Sequence, residues 1–181
     1  MQRLIIDIGN SSAKVATFEG DNLVWHVRVE HAELPALLAA KALDSAIQAA
    51  ILSSVIPLSE ELERVVATLP YPCLRMSATL KMPFRIAYET PDTLGPDRLA
   101  AVAEAWTQKP GNDLLIIDVG TAITYDIVTA DGIYRGGNIS PGISMRFKAL
   151  HHFTGKLPMV DKEGQRTEIG FSTETAIREG V

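Results

Sequence analysis

The chain has 181 residues, of which 46% are hydrophobic and 22% charged, a composition typical of one large globular domain or two small ones. The formal net charge of −5 gives no general reason to bind nucleic acid or an anionic membrane. The single cysteine excludes an intramolecular disulfide and fits a reducing compartment. No apolar run approaches the ~20 residues of a membrane helix, and Asp7 and Gly9 interrupt any N-terminal export signal, so we expect a cytoplasmic protein.

The first half of the chain predicts three consecutive strands followed by helices and a further strand. The three strands span 3–8, 12–18 and 23–29, with a turn at 20–22. The later elements are a helix over 33–43, a buried strand over 46–53 and helices over 59–69 and 97–108. Ser59 is the expected N-cap of the second helix. Between the last two helices, Pro83, Pro91 and Pro96 indicate an irregular stretch.

The second half repeats the order of the first. Strands are predicted over 114–118, 123–129 and 133–139, and a helix begins near Pro141. We therefore predict an α/β fold of two RNase H-like domains, as in actin and hexokinase, with mixed five-stranded sheets around a nucleotide cleft. The domains are residues 1–111 and 112–181. The second lacks a counterpart of strand 46–53 and is expected to be truncated.

One short pattern occurs twice, at the start of each half. Asp7-Ile8-Gly9-Asn10-Ser11 and Asp118-Val119-Gly120-Thr121-Ala122 each follow a buried apolar strand and precede another strand. A strand, a glycine turn and a returning strand form a β-hairpin whose amides can hold phosphate oxygens. The aspartate can orient a hydrated cation. A single copy could be an ordinary turn with a solvated aspartate, but the duplication favours two hairpins that grip the phosphates of a nucleotide.

A Gly-Pro-Asp-Arg segment, residues 95–98, lies between the two hairpins. Asp97 at the start of a helix could be only an N-cap. As a catalytic residue, its carboxylate could accept a proton from a substrate hydroxyl that attacks phosphorus. The guanidinium of Arg98 could bind a substrate carboxylate through two parallel hydrogen bonds.

A glycine-rich segment, Gly136-Gly137-Asn138-Ile139-Ser140-Pro141-Gly142, joins the last predicted strand to a helix. Glycines there allow close approach of the backbone to a ligand, although a tight strand–helix turn would explain them equally well. The adjacent pair His151-His152 is not expected to bind a metal, because neighbouring helical residues point in different directions.

The two hairpin motifs, the segment Leu94-Gly95-Pro96-Asp97-Arg98 and the glycine-rich segment occur in the same order as in type III pantothenate kinases. The chain resembles this family, which is part of the acetate and sugar kinase, heat-shock protein and actin superfamily. One departure is Ser11, where the family usually has threonine. The resemblance implies ATP-dependent phosphorylation of pantothenate to 4'-phosphopantothenate, the first step of coenzyme A synthesis. It also implies Mg²⁺, a monovalent cation (K⁺ or NH4⁺) and a homodimer.

The resemblance also implies roles for individual residues. Asp97 is the proton acceptor, Asp118 a ligand of the monovalent cation, and Asp7 a ligand of Mg²⁺ through water. The implied ATP contacts are Asp7, Ile8, Gly9, Asn10, Ser11, Ser12, Ala13, Lys14 and Thr121. The implied pantothenate contacts are Tyr88, Gly95, Pro96, Asp97, Arg98 and, from a partner subunit, Thr173. The alternatives are a regulatory relative without catalysis and another small-molecule kinase of the same fold.

Overall fold

The computed structural model describes residues 1–181 and contains two β-sheets. The first half forms β1 (Gln2–Ile8), β2 (Ala13–Glu19), β3 (Asn22–Val29), α1 (Leu34–Lys41), β4 (Ile47–Ser54), α2 (Glu60–Ala67) and β5 (Cys73–Arg75). These strands lie in the order β3-β2-β1-β4-β5. The first three are antiparallel, and β4 and β5 join in parallel. This is the mixed five-stranded sheet predicted for the first half, although the sequence analysis did not identify its fifth strand, β5.

The core of the first half is formed by the central strand and the two helices. Leu4, Ile6 and Ile8 of β1 are at most 1% exposed, because alternate side chains of a strand share one face. Helices α1 and α2 pack on the same core. The backbone N–H of Leu62 donates to the hydroxyl of Ser59 at 3.2 Å, which confirms Ser59 as the N-cap of α2.

The chain from residue 85 onward forms a four-stranded sheet in the order β6-β9-β8-β7. Its elements are β6 (Arg85–Ile86), α3 (Pro96–Gln108), β7 (Leu114–Val119), β8 (Ala122–Thr129), β9 (Ile133–Pro141), α4 (Ile143–Phe153) and α5 (Thr173–Gly180). Thus β6 and α3 belong with this sheet although they precede residue 112. Strands β7, β8 and β9 are antiparallel, and β6 pairs in parallel with β9. The sequence does not predict β6, which lies in the stretch expected to be irregular. Pro141 ends β9, so α4 begins slightly later than predicted.

Helix α3 connects the two halves. Leu99, Val102 and Trp106 of α3 pack with Val128 and Tyr134 of the second sheet in a separate hydrophobic core. The helix contacts β7 and β8, and also β4 of the first sheet. Because α3 contacts both sheets, its first turn has a fixed position relative to each of them. The boundary at residue 111 stays a prediction.

Strand β7 lies at the edge of the second sheet, and its outer edge has no partner strand. Leu115, Ile117 and Val119 share one face of β7 and are 61%, 53% and 63% exposed. None of the helices of the chain combines the length and apolarity that crossing a membrane requires.

Candidate active site

A cavity of about 600 Å³ lies between the two sheets, a size typical of small-molecule sites. It is lined by both glycine hairpins and by the start of α3. The predicted residues that line it are Asp7, Gly9, Asn10, Ser11, Ser12, Lys14, Tyr88, Gly95, Asp97, Arg98, Asp118 and Thr121. Four others do not line it: Ile8 and Ala13 are buried in the first core, Pro96 begins α3 and Thr173 begins α5.

The first hairpin joins β1 to β2 and is held by its own backbone. The N–H of Gly9 donates to the carbonyl oxygen of Ser12 at 3.0 Å. Burial of Ile8 and Ala13, which are 1% and 0% exposed, anchors the two strands beneath the turn. Lys14 stands opposite Asp7 in the strand register, with its Nζ 3.9 Å from Asp7 Oδ2. The turn is therefore rigidly attached to the core while its polar groups face the cavity.

The second hairpin joins β7 to β8 and is held in addition by the start of α4. The N–H of Gly120 donates to the carbonyl oxygen of Ala122 at 2.9 Å, and the N–H of Gly142 donates to that of Thr121 at 3.0 Å. A Cβ on Gly142 would collide with the carbonyl oxygens of Gly120 and Thr121. Glycine is thus required at position 142 for close approach of the helix to the hairpin.

The two hairpins meet across the cavity. The hydroxyl oxygens of Ser11 and Thr121 are 3.4 Å apart. Each hairpin also contributes its aspartate, Asp7 or Asp118, to the same cavity. The repeated sequence pattern therefore corresponds to two facing turns with exposed amides, hydroxyls and carboxylates.

Three carboxylates, those of Asp7, Asp97 and Asp118, line the cavity. Burial raises the pKa of Asp7; Lys14 partly opposes this shift, and the charges of Asp97 and Asp118 reinforce it. No three His, Cys, Asp or Glu side chains converge closely enough to hold a metal ion by themselves. These carboxylates supply the oxygen ligands that hard cations prefer, so a cation here would complete its shell with phosphate or water oxygens. The pair His151-His152 does not line the cavity. His151 Nδ1 lies 2.8 Å from the carbonyl oxygen of Leu157.

Asp97 lies in the first turn of α3, but it is not the N-cap, which is Gly95. Asp97 Oδ1 accepts a hydrogen bond from the backbone N–H of Arg98 at 2.9 Å. Its other carboxylate oxygen accepts no hydrogen bond within the protein, and Asp97 lines the cavity. This geometry suits a group that accepts a proton.

Arg98 forms a buried ion pair that the sequence does not predict. Its Nε and Nη2 donate to Asp126 Oδ1 at 3.0 and 2.6 Å, and Tyr134 Oη donates to the same oxygen at 2.6 Å. Burial alone would lower the pKa of Arg98, but hydrogen bonding to Asp126 raises it. Burial, reinforced by the Asp126 hydrogen bond, raises the pKa of the Tyr134 hydroxyl. The Nε–Nη2 edge of Arg98 is therefore occupied by Asp126. A contact of Arg98 with a substrate carboxylate through two parallel hydrogen bonds would use the Nη1–Nη2 edge, and it stays a prediction.

Tyr88 lies beside Arg98, whose guanidinium carbon is 5.7 Å from the centre of the Tyr88 ring. Gly136, with a φ of +93°, lies under this ring, and a Cβ there would be 3.0 Å from Tyr88 Cδ2. At this position the glycine-rich segment thus makes room for a protein side chain. Thr173 is exposed at the start of α5, and the cap of that helix is Ser172.

Sequence reasoning missed Arg28, Asp126 and Tyr134. Arg28 lines the cavity, and its Nε donates to Ser12 Oγ at 2.7 Å. It stands opposite Lys14 in the β2–β3 register. Extending the predicted strand pairing from β2 to β3 would therefore have placed Arg28 next to the first hairpin. For Asp126, the available signal was a carboxylate at a position that strand alternation places on the same face as the apolar Val128.

Two mixed sheets with a glycine hairpin from each, facing across a cleft, define the actin- and hexokinase-like fold class. A structure from Campylobacter jejuni, described as a Baf family transcriptional activator, has a TM-score of 0.62 at 23% identity and covers 98% of this chain and 73% of its own. A structure from Sinorhizobium meliloti, described as a 2-dehydro-3-deoxygalactonokinase, has a TM-score of 0.51 at 14% identity, with 84% and 57% covered. These similarities support the predicted fold.

Sequence comparison identifies the family. The family model for type III pantothenate kinase matches residues 3–181. The type III pantothenate kinase of Bacteroides fragilis strain YCH46 is 49% identical over 179 residues, 98% of this chain and 73% of that relative. That of Porphyromonas gingivalis strain W83 is 45% identical over 181 residues, with the same coverage. The chain belongs to the type III pantothenate kinase family.

This membership confirms the predicted activity. The chain is a kinase that phosphorylates pantothenate with ATP, in the first step of coenzyme A biosynthesis. ATP and a divalent metal ion follow from the kinase class. The chain spans about 73% of the length of these relatives.

Proposed function

We propose that Asp97 accepts the proton of the primary hydroxyl of pantothenate while the phosphates of ATP lie between the two hairpins. The observation that carries this proposal is the shared cavity. A free carboxylate oxygen of Asp97 and the turns of both hairpins face the same space. Catalysis of phosphoryl transfer depends mostly on positioning and on charge stabilisation, which such an enclosed set of amides and carboxylates supplies.

The ATP contacts are proposed at the first hairpin, residues 7–14, and at Thr121 of the second. Within the first hairpin, Ile8 and Ala13 hold the turn through burial, and the other side chains meet the ligand. We add Arg28, because its guanidinium lies beside Ser12 and Lys14 and forms no ion pair with a carboxylate. Arginine is well suited to phosphate because it presents several donors in one plane.

The cation sites are proposed at Asp7, through water, for Mg²⁺ and at Asp118 for K⁺ or NH4⁺. The supporting observation is the raised pKa of Asp7, which arises from burial and from the charges of Asp97 and Asp118. Bound cations would neutralise this charge and that of the phosphates.

The pantothenate pocket is proposed at Tyr88 and at Gly95, Pro96, Asp97 and Arg98. Because Asp126 occupies the Nε–Nη2 edge of Arg98, we place the substrate carboxylate at the Nη1–Nη2 edge of the guanidinium. Thr173 lies outside the cavity of its own chain, and we propose that it completes the pocket of a second copy in a homodimer. Mixed dimers of an Asp97→Asn chain and a Thr173→Ala chain should then recover activity. Activity of a monomer, or no recovery after subunit exchange, would refute the shared site.

The experiment that tests the proposed chemistry measures phosphate transfer from ATP to pantothenate by the Asp97→Asn variant. We expect a loss of ~10²–10⁴-fold in kcat, the usual contribution of a general base, with ATP binding retained. The exposed Asp92, in the turn before α3, provides the matched control Asp92→Asn. Near wild-type kcat for Asp97→Asn would remove Asp97 from the mechanism. A folded wild-type protein that binds ATP but transfers phosphate only to other alcohols would favour the alternative of another small-molecule kinase.

A further inference from the structure

Asp126 is a buried carboxylate, 1% exposed, to which none of the proposed contacts assigns a role. It accepts hydrogen bonds from Arg98 Nε, Arg98 Nη2 and the Tyr134 hydroxyl. A buried carboxylate is costly unless it is paired and hydrogen-bonded in this way. The question is whether the pair serves the fold alone or also the site.

The pair leads directly to the proposed proton acceptor. Arg98 donates its side-chain N–H groups to Asp126 and its backbone N–H to Asp97 Oδ1, the latter at 2.9 Å. The side chain of Arg98 is thus held by the second sheet, while its backbone N–H holds the carboxylate of Asp97. A change at Asp126 would therefore reach Asp97 through the side chain and the backbone of one residue, Arg98.

The pair also connects the two substrates. Asp126 lies on β8, the strand that returns from the second hairpin, and Arg98 lies in the first turn of α3. Asp126 therefore joins the element expected to hold ATP to the segment expected to hold pantothenate. Tyr134, from the neighbouring strand β9, is fully buried and fixes the orientation of the carboxylate.

We propose that Asp126 is a positioning residue for phosphoryl transfer, which fixes Arg98 and, through it, the orientation of Asp97 toward pantothenate. The inference rests on the proposed role of Asp97. It assigns to Tyr134 the supporting role of orienting Asp126. Misplacement of reacting groups by ~1 Å can cost ~10²-fold in rate, so this buried pair can control turnover without touching the substrate.

The test compares Asp126→Asn with Tyr134→Phe in steady-state kinetics and thermal unfolding. Asp126→Asn should raise the KM for pantothenate and lower kcat, with kcat/KM reduced by ~10²-fold and the KM for ATP unchanged. Tyr134→Phe keeps the ion pair and should cause a smaller change in the same direction. The control Asp131→Asn removes a carboxylate whose side chain is 55% exposed in the turn after β8, and should leave these parameters unchanged.

A purely structural pair would give a different result. Folded Asp126→Asn protein with wild-type KM for pantothenate would overturn the proposal, even if its melting temperature and its active fraction were lower. If Asp126→Asn does not fold, an unchanged pantothenate KM in Tyr134→Phe overturns it and a raised KM supports it. A different result would refute the proposed function, namely an active Asp97→Asn variant. That result does not depend on the kinetics of Asp126→Asn. With Asp97 confirmed, adding Asp126→Asn to Asp97→Asn should lower kcat little further, because both act on one step.

Discussion

Replacement of Gly142 by alanine tests whether the start of α4 sets the position of the second hairpin. The added Cβ would collide with two backbone carbonyl oxygens, those of Gly120 and Thr121, which cannot rotate away as a flexible side chain could. An ordinary carbon–oxygen separation of ~3.5 Å requires α4 and the hairpin to move apart by about 1 Å. The same movement would strain the hydrogen bond from the Gly142 N–H to Thr121, which is 3.0 Å long.

A displacement of this size at a group that positions phosphate lowers turnover by ~10²-fold. We therefore expect Gly142→Ala to reduce kcat/KM for ATP by that factor, measured in steady-state kinetics at saturating pantothenate. Gly155→Ala is the matched control, since a Cβ there meets no atom within 4 Å and the φ of Gly155 is not positive. A Gly142→Ala enzyme with wild-type kinetics toward ATP would refute the argument.

The remaining predictions concern charged groups of the cleft. Arg28→Gln should raise the KM for ATP by about tenfold, the equivalent of one charge-assisted hydrogen bond, and an unchanged KM would exclude a phosphate contact. Burial raises the pKa of Asp7 in the folded state, so ionisation of Asp7 costs stability, and the contribution of Asp7 to the stability of the nucleotide-free protein should become more favourable as the pH falls through this raised pKa. Accordingly, Asp7→Asn should raise the melting temperature at neutral pH and abolish turnover; a lower melting temperature would contradict this. Activity should require K⁺ or NH4⁺ and lose this dependence in Asp118→Asn, whereas equal rates with only bulky organic cations would rule out the Asp118 site.

Local patterns in the sequence were sufficient to predict most elements of the fold. Strand β1 alternates buried residues, and α2 has a capping serine followed by an apolar face; both signals are contained in a few consecutive residues. Strand β6 was missed because two residues have no measurable periodicity, and it exists only through its pairing with β9. The start of α4 was placed early because Pro141 is common at a first helical turn, whereas here it completes β9.

The candidate site was predictable only where its chemistry was concentrated in motifs. The two hairpins and the segment 95–98 were found because each motif is contiguous. The partner of Arg98 was missed because Asp126 is 28 residues away and the contact depends on how α3 packs on the second sheet. As a result, the sequence showed that a guanidinium was present but not which of its nitrogens were free.

The exposed edge of β7 gives Asp118 a second physical role. In β7, residues 114–119 with the sequence LLIIDV, Asp118 is the only charged residue. A strand with free backbone groups and exposed apolar side chains is a template for intermolecular strand pairing, and a charge within it opposes aggregation. Asp118→Asn removes that gatekeeper, so the variant should aggregate faster than wild type in light scattering. Its kinetics should therefore be measured on freshly isolated monodisperse protein, so that lost cation dependence is separated from lost solubility.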